Sequence, residues 1–226
     1  MRGPATELPT IHRFPEVDST QDTARELLRI GRAKTGHIVT ADVQAAGRGR
    51  YGRSWLSPAG GLYATLILEQ RPLISLACGV AIARAFESFE LAVALKWPND
   101  VEHDGRKLAG TLIETVDDRL LVGIGVNLLE APLSTSTSAQ KVGVNVRRGD
   151  LLLAIWQHLQ GGNEPGEVLT AYRERSATIG RRVRVTSDEQ RAVEGIAIDI
   201  DENGQLRVQT EGGVEIIASG TCVHLA

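Results

Sequence analysis

The sequence predicts an α+β fold, in which a mixed sheet with flanking helices is followed by a small β-barrel. Strand-like and helix-like segments follow one another in strand–helix–strand order over about the first 180 residues, which implies a mixed sheet. From Gly180 the pattern changes to short strands separated by "DENG" and "EGG" turns. A chain of 226 residues is long enough for one substantial core and a small second domain. We therefore expect two domains, 1–178 and 179–226.

Composition limits the classes of function. The net charge of -3 argues against a duplex-binding or membrane-surface role for the whole chain. The only two cysteines, Cys78 and Cys222, are far apart and lack C-x-x-C spacing, so neither a disulfide framework nor a structural zinc site is indicated. The N-terminal segment has no apolar signal core, and no run is long enough to cross a bilayer. These features predict a cytoplasmic protein.

The first helix is predicted in "DSTQDTARELLRIG". Asp18, Ser19 or Thr20 offers a capping side chain, apolar residues recur on one face, and Gly31 suits the end of a helix. Only a short leader is expected before this helix.

Further elements follow from periodicity and turn residues. A second helix is expected from Ser75, and the strand that follows it ends at Pro98. A Ser/Thr-rich loop, "APLSTSTSAQKVGV", separates the last strand of the larger domain from its two final helices. The predicted strands are "HIVTADVQ", "GGLYATLILEQ", "LAVALKW", "RKLAGTLIETV" and "RLLVGIGVNLL", the last two joined by a turn at Asp117 and Asp118, and the final helices are "DLLLAIWQHLQ" and "EPGEVLTAYRERS".

The smaller domain is predicted as five short strands that form a barrel of about 45 residues. The strands are "RRVRVTS", "RAVEGIAIDI", "GQLRVQTE", "VEIIASG" and "CVHLA".

The stretch "GRGRYG", residues 47–52, has the G-x-G-x-x-G spacing of dinucleotide-binding loops. That fingerprint requires a helix directly after the third glycine, with its N-terminal amides facing a pyrophosphate. Only "RSWLSPAG" separates Gly52 from the next strand, and it contains Pro58, so a crossover helix has no room. The G-K-[ST] ending of a Walker loop is also absent. The sequence therefore argues against both a dinucleotide-binding loop and a Walker loop.

The same loop carries Arg48, Arg50 and Arg53, and no acidic residue occurs between Val43 and Glu69. We expect these guanidinium groups to need an external anion, since their paired N–H groups match the geometry of carboxylate and phosphate oxygens. The glycines allow the loop backbone to approach such a ligand closely. The alternative is a solvated surface loop with a core tryptophan, Trp55.

Two further segments carry candidate ligand groups. In "LKWPND" and "GRKLAG", Lys96 and Lys107 flank a turn from which Asn99 and Asp100 emerge at a strand end, where α/β sheets commonly bind ligands. Ordinary turn chemistry is the alternative for both. In "GIGVN" the alternating glycines, 123 and 125, leave a strand face bare for a flat ligand, and the amide of Asn127 suits a purine edge. Close crossing by a neighbouring backbone explains the glycines equally well.

Taken together, the motifs "DSTQ", "QAAGRGRYGRSW", "KWPND", "RKLAG" and "GIGVN", in this order and followed by a small barrel, resemble the biotin protein ligase family. The resemblance extends from about Phe14 to the C-terminus. It implies a catalytic domain similar to class II aminoacyl-tRNA synthetases at 1–178 and an SH3-like barrel at 179–226. It also implies an enzyme that joins biotin and ATP to biotinyl-5'-AMP and pyrophosphate with Mg²⁺, then transfers biotin to a lysine of a biotin carboxyl carrier protein or domain of a carboxylase.

The resemblance also implies roles for individual residues. Biotin is expected to contact Ser19, Thr20, Gln44, Gly47, Arg48, Lys107, Gly110 and Gly125. ATP or the adenylate is expected to contact Arg48, Arg50, Trp55, Lys96, Asn99, Lys107 and Asn127. The catalytic residues implied are Arg48, Lys107 and Asp100, and Asp100 is also the candidate ligand of Mg²⁺.

Because the first catalytic helix begins by about residue 20, we expect no N-terminal DNA-binding domain and no DNA partner. We also expect no membrane partner, and a homodimer is the candidate assembly. We also expect the arginine loop to order over the ligands. Two alternatives stay open. A lipoate or octanoate ligase has a similar fold, but the R-R-x-S-G-G-G run typical of it is absent. A non-catalytic adenylate- or nucleic-acid-binding module is disfavoured by the acidic residues of the barrel and its lack of an aromatic platform.

Overall fold

The computed structural model describes residues 8–161, 164–187 and 191–225, and over these residues it confirms a mixed α+β fold. The larger sheet has seven strands in the order β1-β2-β3-β7-β6-β5-β4. Its first pair is parallel and the remaining pairs are antiparallel. The strands are β1 (Thr10–Val17), β2 (His37–Gln44), β3 (Leu62–Glu69), β4 (Ala94–Lys96), β5 (Asp100–His103), β6 (Arg106–Val116) and β7 (Arg119–Val126).

In the described part of the chain, two helices pack directly against this sheet and two more pack on the second of them, all close to the predicted positions. Helix α1 presents the buried residues Ala24 and Leu27 to one face of the sheet, beneath β2, β3 and β7. Helix α2 is almost wholly buried on the opposite face, against α3 and α4. The helices are α1 (Thr20–Arg29), α2 (Ile74–Glu87), α3 (Arg148–Gln160) and α4 (Pro165–Glu174).

The strand β1 corrects the expectation that only a leader precedes α1. It pairs in parallel with β2, from Thr10 opposite His37 to Val17 opposite Gln44. Its sequence, "TIHRFPEV", has weak apolar alternation and contains Pro15, which normally demotes a strand prediction. An edge strand tolerates proline because one side of its backbone needs no ladder partner.

Ser19, one of the predicted capping residues, occupies the N-cap position of α1 with extended backbone. Its carbonyl accepts from Thr23, but its side chain makes no capping hydrogen bond. Ser19 instead lines a pocket described below. The turn between β6 and β7 is as predicted, with Asp117 at a positive φ of 53°.

The smaller sheet contains the five predicted strands in the order β11-β10-β9-β8-β12, all antiparallel. Their inward residues, such as Val183, Ala197 and Val208, belong to the same continuous apolar core as α2 and the larger sheet. The strands are β8 (Arg182–Thr186), β9 (Ala192–Ile200), β10 (Leu206–Thr210), β11 (Gly213–Ile217) and β12 (Thr221–His224).

Polar contacts around Trp97 join the two sheets. The Trp97 indole donates to the Gly204 carbonyl (3.0 Å), and its amide donates to the hydroxyl of Thr178 (3.0 Å). The same hydroxyl lies 3.2 Å from Nε2 of His224. Burial, together with positive charge on Lys96 and Arg181, lowers the pKa of His224, so the ring is neutral at pH 7. The turn after β4 is thereby fixed to the small sheet.

Among the described residues, no helix is long and apolar enough to span a bilayer.

The two thiols are predicted to be unreactive in the folded protein. Burial raises the pKa of Cys78 to about 12 and that of Cys222 to about 11, so almost no thiolate forms at pH 8. We expect iodoacetamide at pH 8 to modify neither cysteine of the native protein, and both in guanidinium chloride, as counted by mass spectrometry. Rapid modification of native Cys78 would contradict the buried packing of α2.

Candidate active site

The glycine–arginine segment folds back on itself as a short hairpin. The amide of Trp55 donates to Gly47 (2.8 Å), and that of Gly49 donates to Arg53 (2.7 Å). The turn is made at Tyr51 and Gly52, which both have positive φ. No helix lies between Gly52 and β3, which confirms that the dinucleotide spacing is coincidental. Gly47 is needed for packing, since a Cβ there would lie 2.4 Å from the Trp55 carbonyl.

The hairpin places Trp55 on the bare face of β6 and β7. A Cβ on Gly125 would lie 2.4 Å from the indole, and one on Gly110 would lie 3.3 Å from it. The two glycines are directly paired across the strands. Glycine therefore occurs here because an aromatic ring lies directly against the backbone, which answers the question left open by the sequence. The buried indole Nε1 has no hydrogen-bond partner in the structure.

Beneath the indole lies a pocket between α1, β2, β6 and β7, which we call the inner pocket. Its lining residues include Ser19, Thr20, Gln21, Gln44, Arg48, Gly110, Gly123 and Gly125. One wall consists of glycine backbone that the Trp55 indole largely covers, and the opposite end carries hydroxyl and amide groups. The cavity volume is about 40 Å³ with the indole in this position, so a flat ligand with a polar end requires the indole to move aside.

The hydrogen bonds of Thr20 and Gln44 fix the polar end of the inner pocket. The side-chain oxygen of Gln44, Oε1, accepts from both the backbone amide of Thr20 (2.9 Å) and the Thr20 hydroxyl (3.1 Å). Nε2 of Gln44 donates to the Ser57 hydroxyl (2.8 Å). The Thr20 hydroxyl also accepts from Thr65 (2.9 Å). These contacts leave the Gln44 amide with one free N–H and no free acceptor.

A second cavity, which we call the outer pocket, adjoins the first. Its residues include Arg50, Arg53, Trp55, Asn99, Asp100, Lys107 and Asn127. Three cations and one carboxylate give it two surplus positive charges, which favours an anionic ligand. Trp55, Asn99 and Lys107 line both pockets. The two pockets therefore meet at these three side chains.

Lys107 is held at the junction from two sides. Its ammonium lies 2.6 Å from Oδ1 of Asp100 and 5.2 Å from the centre of the Trp55 ring. Its backbone is paired with the Ser/Thr-rich loop, since its amide donates to Thr135 (3.2 Å) and its carbonyl accepts from Thr137 (2.9 Å). Backbone hydrogen bonds and the ion pair with Asp100 therefore both fix the position of Lys107.

Asn127 ties the same loop to β7. Its Nδ2 donates to the carbonyls of Lys107 (3.4 Å) and Thr137 (3.1 Å), and the side chain is buried. With both hydrogens directed at backbone, only the acceptor Oδ1 is left for a ligand.

Arg48 corrects the expectation that the loop arginines need an external anion. Its guanidinium lies 2.8 Å from Asp22 on α1 and 3.5 Å from Glu114 on β6. Arg25 pairs with the same two carboxylates. We call Asp22, Arg25, Arg48 and Glu114 the ionic clasp. Its acids come from positions far from the loop in sequence, so a search of neighbouring residues could not find them.

Arg50 and Arg53 fit the expectation better, because neither has a carboxylate partner within the described part of the chain. Arg50 contacts the Tyr51 hydroxyl (2.7 Å), Asn99 (3.5 Å) and the carbonyl of Gly220 (3.4 Å). Arg53 contacts Thr221 (3.5 Å). Both arginines thereby bridge the loop and the start of β12, leaving their charge uncompensated at the outer pocket.

Two predicted site residues, Gly47 and Lys96, line neither pocket. Lys96 pairs with Glu102 (3.3 Å). Asp100 is in place at the junction, but no group of three or more potential metal ligands occurs among the described residues.

Comparisons with known proteins identify the family of the chain. A model of the biotin/lipoate A/B protein ligase family matches residues 14–129, which is 116 of the 226 residues. The chain belongs to this ligase family. A model of the biotin protein ligase C terminal domain matches residues 178–225, so the family member also carries the second unit typical of biotin protein ligases. The resemblance seen in the sequence motifs is confirmed.

The chain aligns over most of its length with several biotin protein ligases. The biotin–[acetyl-CoA-carboxylase] ligase of Mycobacterium tuberculosis is 34% identical over 212 residues, covering 84% of this chain and 79% of that protein. The corresponding ligase of Paracoccus denitrificans is 31% identical over 235 residues, covering 88% and 95%. The structure of biotin protein ligase from Aquifex aeolicus in complex with biotin and ATP superposes with a TM-score of 0.82 at 28% identity, covering 96% and 98%.

We expect the ionic clasp to hold the glycine–arginine loop against α1 and β6. Replacing Asp22 by asparagine removes one carboxylate from Arg48, and partly exposed pairs contribute about 0.2–1 kcal/mol. We expect trypsin cleavage after the loop arginines to accelerate up to about fivefold, because cleavage of a transiently open segment follows the open population.

The matched control is Glu26→Gln on the same helix, which removes an exposed pair with Arg29 (2.7 Å) that has no contact with the loop. Electrophoresis with time of digestion measures both variants. Equal loop cleavage in Asp22→Asn and the unmodified chain would show that the clasp does not hold the loop.

Proposed function

We propose that this protein is an ATP-dependent biotin protein ligase. It activates biotin as biotinyl-5'-AMP, with release of pyrophosphate, and transfers biotin to a lysine of a biotin carboxyl carrier protein or domain. The observation that carries the proposal is the pair of adjoining pockets that share Trp55, Asn99 and Lys107. Two reactants bound in them meet beside a lysine.

The inner pocket takes biotin with its ring system buried and its carboxylate towards the junction. Ser19 and the free N–H of Gln44 are donors for the ureido carbonyl. The rings take the glycine backbone of β6 and β7 once the Trp55 indole, which lies on Gly110 and Gly125 in the free protein, moves aside. Lys107 neutralises the carboxylate, and Arg48 joins it on leaving Asp22 and Glu114. Gly47 acts through the fold of the hairpin, because its own contacts are internal.

The outer pocket takes the nucleotide. Its surplus positive charge suits phosphate oxygens, and Arg50 has no carboxylate partner among the residues that the structure describes. Asn127 offers Oδ1 as an acceptor for the adenine amino group, since Nδ2 is held by backbone. Mg²⁺ enters with the phosphates as MgATP, which is the usual mode for that ion. Lys96 acts at longer range, through the β4–β5 turn.

In the first step a biotin carboxylate oxygen attacks the α-phosphorus of ATP, a carboxylate–phosphate bond forms, and the bond to pyrophosphate breaks. The barrier contains repulsion between two anions and the cost of bringing them into line. Lys107, fixed by Asp100 and the backbone of the Ser/Thr-rich loop, lies at the junction where both anions converge. Arg48 and Arg50 approach from the loop.

In the second step the acceptor amine attacks the acyl carbon and AMP leaves. The ammonium of the acceptor must first lose a proton, and Asp100 is the carboxylate at the junction. In the free protein this carboxylate is paired with Lys107 at 2.6 Å. Asp100 accepts the proton once Lys107 has turned to the phosphate of the adenylate.

The proposal extends to partners and architecture. The named relatives are acetyl-CoA-carboxylase ligases, which supports a carboxylase carrier domain as acceptor. The same proposal includes a class II synthetase-like catalytic unit and an SH3-like second unit. It also includes a cytoplasmic location, a homodimer as the candidate assembly, and no DNA partner.

The activity is tested by biotin-dependent exchange of pyrophosphate into ATP. Arg48→Ala and Lys107→Ala are each expected to lower the exchange rate about 100- to 1000-fold, because each removes a fixed cation from the developing negative charge. Arg29→Ala, which removes an exposed helix arginine, is the control and should exchange normally.

The same assay separates the candidate substrates. Exchange with biotin but not with lipoate or octanoate is expected, in line with the absence of the R-R-x-S-G-G-G run. Exchange only with lipoate would replace the proposal by a lipoate ligase, and no exchange with any acid would favour a non-catalytic binding module.

A further inference from the structure

Gln21, on the first turn of α1, is a buried side chain of the inner pocket to which the sequence motifs gave no role. Its exposed fraction is 4%, and its Oε1 has no hydrogen-bond partner in the structure. Leaving a buried amide oxygen unsatisfied is costly unless a ligand or water completes it. The orphaned oxygen therefore marks a place for a donor.

The orientation of this amide is fixed by its surroundings. Nε2 faces three oxygens: the carbonyl of Leu112 (3.4 Å), the carbonyl of Leu121 (3.4 Å) and Oε2 of Glu114 (3.2 Å). All three are acceptors, so rotating the amide by 180° would place Oε1 against them and lose every bond. Oε1 is held facing the other way.

That direction is the inner pocket. The Gly123 backbone lies beside the amide, because a Cβ on Gly123 would be 3.2 Å from Cδ and 3.3 Å from Oε1. Both residues line the pocket together with Ser19 and Gln44. Oε1 is buried in this structure, and a side chain on residue 123 would crowd it, so the glycine keeps the oxygen as an acceptor at the wall of the pocket.

We propose that Gln21 is a specificity-determining residue whose Oε1 accepts a hydrogen bond from a ring N–H of the ligand, which for biotin is one ureido N–H. This rests on the proposed function. A cyclic urea presents one acceptor and two donors, and the obvious partner for a donor, the Gln44 carbonyl, is already bonded twice to Thr20. Gln21 supplies the missing acceptor.

The test is biotin binding by calorimetry to the unmodified chain and to Gln21→Met, a replacement of similar length without the acceptor. Dissociation constants are expected to rise about 10- to 100-fold, while kcat at saturating biotin changes little, because the lost bond is far from the carboxylate. Gln209→Met, at an exposed position of β10, is the control for the same chemical change.

Biotin methylated on one or the other ureido nitrogen locates the bond. In the unmodified chain, methylation of the nitrogen that faces Gln21 should weaken binding about 10- to 100-fold, and in Gln21→Met the same methylation should cost little more. Gln21→Asn, which withdraws the oxygen by one methylene and keeps the amide, serves if the methionine variant fails to fold.

Tight biotin binding by both Gln21 variants, or equal methylation penalties with and without Gln21, would overturn the inference while leaving the ligase activity intact. An unmodified chain that binds no biotin would instead overturn the proposed function, and the assignment of the ligand with it.

Discussion

The site depends on the contact between the Trp55 indole and the bare backbone of β6 and β7. Because the ring rests directly on Gly110 and Gly125, the loop hairpin is folded over the sheet and the space beneath it is divided into two pockets. A side chain on Gly125 would displace the indole, because its Cβ would lie 2.4 Å from the ring. The same hairpin places Arg48 at the inner pocket and Arg50 at the outer pocket.

Much of this arrangement is predictable from local sequence. Helices α1 to α4, the central strands and the five strands of the small sheet follow from periodicity and turn residues, because each buries one regular face. The strand β1 escaped prediction because an edge strand with Pro15 satisfies few of its own backbone groups and needs no strict alternation. The cations of the site were found because arginine and lysine beside glycine and proline are unusual in short segments.

What sequence reasoning missed came from pairings between distant segments. Asp22 and Glu114 neutralise Arg48 across 26 and 66 positions of the chain, and the Ser/Thr-rich loop supports Lys107 through its backbone. Main-chain hydrogen bonds leave no residue signature, so Thr135 and Thr137 resemble any polar loop. Gln21 belongs to the "DSTQ" motif, but its unpaired oxygen is visible only from its burial, which requires the tertiary structure. The resemblance to a family supplied residue roles, whereas the structure supplied the order in which these residues support one another.

The loop is thus held by two interactions of different physical origin. The ionic clasp consists of partly exposed charges, which dissolved ions screen over about 8 Å at physiological ionic strength. The indole on glycine is an apolar contact, which salts such as sulfate strengthen by exclusion from the surface. Chloride and sulfate at equal ionic strength therefore act differently on one loop: both loosen its arginine side, and only sulfate tightens its tryptophan side. The choice of salt sets the balance between an open and a closed site.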